Sequence, residues 1–289
     1  MTTQILHNPG TRKEWPAPRL ELQALLGVSA LLFVLSAALT VAWCGSMSSM
    51  GTMAMPGGWT MSMTWMRMPG QTWVEAAASF LGMWVAMMVA MMLPSLVPAL
   101  HRYRRAIATA EGSRAASHRL TGLVAAAYFF VWTLLGVAIF PVGVALAALE
   151  MRSSLLARCV PTAAGVVVLF AGALQFTAWK AHHLACCREA PGTEGTMAAD
   201  ARTAGRIGLR LGLHCVYGCA GMTAILLVAG VMNIGAMAMV TAAISLERLA
   251  PRGERFARAI GAVAVAAGIL LVARAAGMPV WRGPHLRGI

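Results

Sequence analysis

Seven apolar runs organise this chain, at residues 22–43, 75–99, 121–149, 161–179, 207–231, 232–249 and 257–275. A helix of about 20 apolar residues crosses roughly 30 Å of hydrocarbon, where each backbone N–H and C=O must find its partner within the segment. That requirement restricts the chain to an all-α fold, a polytopic transmembrane helical bundle of about seven spans. The sixth and seventh runs are rich in alanine and glycine and only modestly apolar, and the third contains Pro141, so six spans are the alternative. With 59% hydrophobic and 11% charged residues, the composition excludes a soluble domain.

Lysine and arginine in short loops are retained on the cytoplasmic side of a membrane. With the N-terminus cytoplasmic, sixteen of them fall inside, including Arg12, Lys13, Arg19, Lys180, Arg188 and Arg248, against six outside, with Arg210 within a span. Topology and anionic lipid headgroups therefore account for the net charge of +13, and no nucleic-acid partner is needed. The expected order is a cytoplasmic segment (1–21), an uncleaved first transmembrane helix (22–43), a periplasmic loop (44–72), the remaining bundle (73–275) and a C-terminal tail (276–289). The lipid bilayer is the first partner, and a bacterial inner membrane the expected location. Residues 180–206 open with His and Cys and continue as a Gly-, Thr- and Ala-rich linker.

The periplasmic loop contains "MSSMGTMAMPGGWTMSMTWMRM", with Met47, Met50, Met53 and Met55 separated by "PGG" from Met61, Met63, Met66 and Met68. Thioether sulfur is soft, uncharged and without a proton to lose, which suits Cu(I). Each cluster has the flexibility to wrap one ion with three thioethers. The alternative is an amphipathic segment lying in the headgroup layer, although Leu or Phe would serve as well there and residues 47–68 contain neither.

The second span continues the theme. Met83, Met87 and Met91 recur at i, i+4 and i+8, with Met88 and Met92 one step round, a stripe on one helix face from the outer end to about the middle, where Pro94 interrupts the hydrogen-bond ladder. Methionine also packs adaptably in apolar interiors, so core packing is the competing explanation. In the fifth span Cys215, Cys219 and Met222 share a face beside His214, and Gly218 and Gly221 permit close helix approach. Two thiolates and a thioether pointing into a bundle suit a soft metal, though free cysteine is also a common small buried residue. At the inner surface "KAHHLACCRE" offers His182, His183, Cys186 and Cys187, ligand types of zinc and copper, with Lys180 and Arg188 favouring thiolates. A reduced, idle cysteine pair at a helix end is the alternative there.

Four fragments, "WVAMMVAMMLPSLVP" (84–98), "KAHHLACCREAP" (180–191), "LHCVYGCAGM" (213–222) and "VAGVMNIGAMAMVTAAISLERLAPRG" (228–253), together resemble a bacterial family of predicted metal-binding integral membrane proteins, some labelled copper chaperones. The resemblance covers roughly residues 73–275 and implies a polytopic bundle with a metal function. Where that family shows Lys-x-x-Cys-Leu-x-x-Cys-Arg, this chain has Lys180, His183, Leu184, Cys187 and Arg188. The exchange keeps a metal ligand but removes a two-thiol redox pair. Tyr217 and Ala220 interrupt the family's Gly-Cys-Cys string.

The expected function is Cu(I) binding in copper acquisition, transport or delivery, with a periplasmic copper carrier or a copper-enzyme subunit as partner. No catalytic constellation is present, so the chain is not expected to be an enzyme. Two rivals follow from the same residues: a non-catalytic assembly subunit of a membrane oxidase or oxygenase complex, and a membrane thiol oxidoreductase using Cys44 and Cys159.

Overall fold

The computed structural model describes residues 18–48, 52–56, 58–68, 70–107, 114–188 and 199–277. Residues 1–17, most of the 189–206 linker, nearly all of the C-terminal tail, Met50 and the side chain of Met63 lie outside the described residues. Eight helices are formed among those described: α1 (Pro18–Ser48), α2 (Trp73–Ile107), α3 (Arg114–Arg152), α4 (Ser154–Leu174), α5 (Ala178–Arg188), α6 (Ala201–Ala229), α7 (Ile234–Leu249) and α8 (Gly253–Ala275).

Six of these, α1, α2, α3, α4, α6 and α8, are long and apolar enough to cross a membrane. The run at 232–249 differs from expectation. Its helix α7 has only 16 residues, about 24 Å at 1.5 Å per residue, and falls short of a full hydrocarbon crossing. Gly230, at φ +99°, ends α6, and Asn233 caps α7 by accepting the Ala236 N–H at 3.0 Å, so the reversal is set by local chemistry. In the last turn of α7, Arg248 reaches Cys219 near the middle of α6 and Glu247 pairs with Lys180 of α5. This helix is held by protein contacts rather than by its own apolar length.

At the bundle's centre is α2, packed by α1, α3 and α7. It begins with a capping box in which Thr72 N–H donates to Glu75 Oε2 at 2.7 Å and Glu75 N–H to Thr72 Oγ1 at 3.2 Å. It then continues as one 35-residue helix through Pro94 and Pro98. Elsewhere in the bundle, α4 and α8 run antiparallel along a stripe of glycines. A Cβ on Gly172 would come within 2.7 Å of Val265 N, and one on Gly268 within 2.6 Å of Leu169 N, so only hydrogen allows that approach.

The methionine-rich loop is also more ordered than its composition suggests. Thr52–Met55 (β1) and Trp59–Ser62 (β2) pair antiparallel, with Met53 opposite Met61 and Met55 opposite Trp59. Strand alternation puts these four side chains on one face. That face lies on the ends of α3 and α4: Met55 and Met61 are buried with Ala147 and Ala157, and Trp59 Nε1 donates to Ala157 O at 2.8 Å. Here the expectation of a flexible loop fails, because two of its thioethers and a tryptophan form a small core of their own.

Candidate metal centre

Between the segment that follows the hairpin and the bundle lies a cavity of about 150 Å³. Five methionines line it: Met47 from the end of α1, Met66 and Met68 from the segment after the hairpin, Met83 from α2, and Met232 from the α6–α7 turn. Trp43 and Phe80 close its apolar wall. Next to it, Cys44 Sγ lies 3.7 Å from Met232 Sδ. The two sequence clusters thus divide by role. Met55 and Met61 pack the hairpin, Met53 is exposed, and Met47, Met66 and Met68 face the cavity. Met232 and Cys44 were not among the expected ligands. Only the Met-Asn pair at 232–233 could have pointed to the first.

Below the cavity the stripe is continuous and dry: Met83, Met87, Met88, Met91 and Met92 are each no more than 3% exposed. Period alone aligns them, because residues four apart on a helix lie one above the other. They share one apolar core with Trp84, Met222, Cys215 and Cys219.

At the deep end the stripe meets α6. Met92 Sδ is 3.9 Å from Cys215 Sγ, and Tyr128 Oη, from α3, is hydrogen-bonded to the same sulfur at 2.7 Å. Cys219 lies one turn further along and accepts Arg248 Nη2–H at 3.3 Å, while Arg248 Nη1 donates to Ser95 Oγ at 3.4 Å. Both cysteines are buried, at 0% and 2% exposure. Two thiols with thioethers beside them form an all-sulfur donor set, which fits a soft monovalent ion better than a hard or borderline one.

The α5 region does not assemble as one site. His183 Nδ1 lies 3.0 Å from His214 Nδ1 across the α5–α6 contact, Cys186 Sγ lies 3.7 Å from His182 Nε2 nearer the surface, and Cys187 is buried on the core side. Their partners differ, His214 for His183, His182 for Cys186 and the bundle core for Cys187, so the three do not converge on one point. Burial and His182 lower the His183 pKa, favouring the neutral imidazole. Burial raises the Cys187 thiol despite nearby Arg248, so it is kept protonated. Among the described residues no group of three or more His, Cys, Asp or Glu is placed to hold a metal ion.

Lys180 and Arg248 are not loop charges. Lys180 Nζ is buried against Glu247 Oε2 at 2.7 Å and donates to Gly218 O at 2.5 Å, and Gln175 Nε2 donates to Glu247 Oε1 at 3.1 Å. No disulfide joins Cys44 to Cys159: the first is buried beside Met232, the second exposed.

A family model described as copper chaperone matches residues 81–271. The matched stretch contains the Met83–Met92 stripe, the Cys215–Cys219 pair and the Lys180–Glu247 pair. It omits α1 and the hairpin. No curated protein and no solved structure matches the chain.

Proposed function

The chain belongs to the copper chaperone family, and from that premise we propose that it takes up Cu(I) among the cavity methionines and passes it along the Met83–Met92 stripe to Cys215 and Cys219. The observation that carries this reading is the contact between Met92 Sδ and Cys215 Sγ at 3.9 Å, which links the stripe of one helix to the thiols of another. Methionines then recur at successive turns of α2 from the cavity, which Met83 lines, to Met92 beside Cys215. The role is binding and hand-over, with no bond made or broken in a substrate. The ion's destination is a copper carrier or the subunit of a copper enzyme. His183, His214 and Cys186 offer an exit or sensing point at the α5 end, acting in pairs.

Thioethers carry no proton, so Cu(I) affinity at the cavity should be nearly the same at about pH 7 and about pH 5, where thiol and imidazole ligands lose metal to protons. The measurement is competition against a chromophoric Cu(I) chelator, on full-length protein with Cys215 and Cys219 both changed to serine. Replacing Met66, Met68 and Met83 together by leucine should abolish the binding that remains. Affinity that collapses at the lower pH, or survives the triple replacement, sinks the capture step.

The cavity must also open on the periplasmic side of the inner membrane. In a background with Cys159 and Cys186 changed to serine, a cysteine at Thr60 should react with an impermeant maleimide in intact cells lacking a permeability barrier outside. One at Arg202 should react only after lysis. The reverse pattern would invert the orientation.

A further inference from the structure

We infer that Arg248 makes the Cys215–Cys219 site selective for a monovalent over a divalent soft cation, an inference that rests on the copper-binding reading of that site. The guanidinium sits on the last turn of α7 and turns into the bundle, where it donates to Cys219 Sγ at 3.3 Å and Ser95 Oγ at 3.4 Å. Of the other charges near this region, Arg188 is turned to Ala250 O past the end of α7, and the remaining two come as a matched pair. Lys180 and Glu247 lie 2.7 Å apart and cancel. Tyr128 and Cys187 enter as neutral hydroxyl and thiol, and the thioethers of Met92 and Met222 add donors without charge.

The balance at the site is then simple. Two metal-binding thiolates carry −2 and Arg248 carries +1. A monovalent ion brings the total to zero, whereas a divalent ion leaves +1 in a buried, low-dielectric place, where an uncompensated charge is costly. With a neutral residue at 248 the arithmetic reverses: the thiolates alone match a divalent ion, and a monovalent one leaves −1. Arg248 therefore acts on specificity through charge rather than by touching the ion.

The experiment compares Cu(I), by chelator competition, with Cd(II), by thiolate charge-transfer absorption, on the full-length protein in lipid nanodiscs. Arg248→Lys keeps the charge and should keep the preference for Cu(I). Arg248→Gln keeps a hydrogen-bond donor but no charge, and should move the Cu(I)-to-Cd(II) affinity ratio about a hundredfold toward Cd(II), the effect of one unit charge about 6 Å away at an effective dielectric constant of about 20. A hydrogen-bonding role alone would not produce that shift. If Arg248→Gln does not fold, Ser95→Asp sets a carboxylate against the same guanidinium and should shift the ratio in the same direction. A ratio that stays within a few-fold, while the Cys215→Ser/Cys219→Ser protein loses this Cu(I) site, overturns the inference and leaves the copper reading standing. Cu(I) binding unchanged by that double replacement overturns both.

Discussion

Cys215→Ser, Cys219→Ser and the double replacement are expected to lose nearly the same amount of Cu(I) affinity at the deep site, about 3 kcal/mol or more, roughly a hundredfold. One helical turn separates the two thiols on a face that is 0% and 2% exposed, so neither can exchange its partner for water. Each thiolate offsets part of the charge that the other and the ion bring into the bundle, and removing one removes the reason for the other to ionise. Such residues act as a unit, and their separate effects cannot be summed. Tyr128 and Met92 are hydrogen-bonded or in sulfur contact with Cys215, and Arg248 is hydrogen-bonded to Cys219, so serine at either position leaves one set of partners in place and allows the folded protein to be recovered. Single replacements that are silent, in protein of normal yield, would make both cysteines packing residues and leave the stripe without a terminus.

Lys180→Met is expected to be the most damaging single change to the fold, costing about 3–5 kcal/mol, the range for leaving one member of a buried ion pair alone. The side chains of Lys180 and Glu247 are 6% and 2% exposed and 2.7 Å apart, and Gln175 supplies a further hydrogen bond to the carboxylate. Lysine's other bond, to Gly218 O, holds the turn that precedes Cys219. Thermal unfolding in detergent should therefore show a large loss for Lys180→Met, mostly recovered in Lys180→Met/Glu247→Leu, because two apolar residues leave no stranded charge. The double variant should bind Cu(I) less well than it folds, as the Gly218 tether is still missing. Equal damage from single and double changes would mean that the lysine matters for its volume and its backbone contact alone.

The bundle was legible because a membrane asks for long apolar runs, and six of the seven runs correspond to helices of sufficient length. The exception, at 232–249, is apolar enough to read as a span but gives a helix of only 16 residues, and Arg248, which a charge count assigns to a loop, reaches Cys219 inside the bundle. Faces were legible too. The spacing of Met83, Met87 and Met91, and of Cys215 and Cys219, is local to one helix. What the spacing could not say is which faces meet. The approach of Met92 to Cys215, of Cys44 to Met232 and of Lys180 to Glu247 joins residues from 67 to 188 positions apart, and helical period carries no information about partners. The hairpin was missed for a different reason: Met53, Met55, Trp59 and Met61 alternate with smaller residues, a strand signal, but glycine and proline nearby suggested a flexible loop.

The arrangement of sulfur types along the path has a directional consequence. Every donor at the hairpin end except the neighbouring Cys44 is a neutral thioether, and the inner terminus holds the thiols that can become anions. For a cation entering at the cavity, the ligands grow stronger with depth, while Met83 and Met92, nine residues apart on one helix, are about 13 Å from each other and cannot drift. On the proposed reading, rotation of methionine side chains would advance the ion while α2 itself stays in place. On that reading such a ladder would work as a rectifier: loading would be quick and shallow, retention deep, and release would require a competing ligand strong enough to draw the ion from the thiolates.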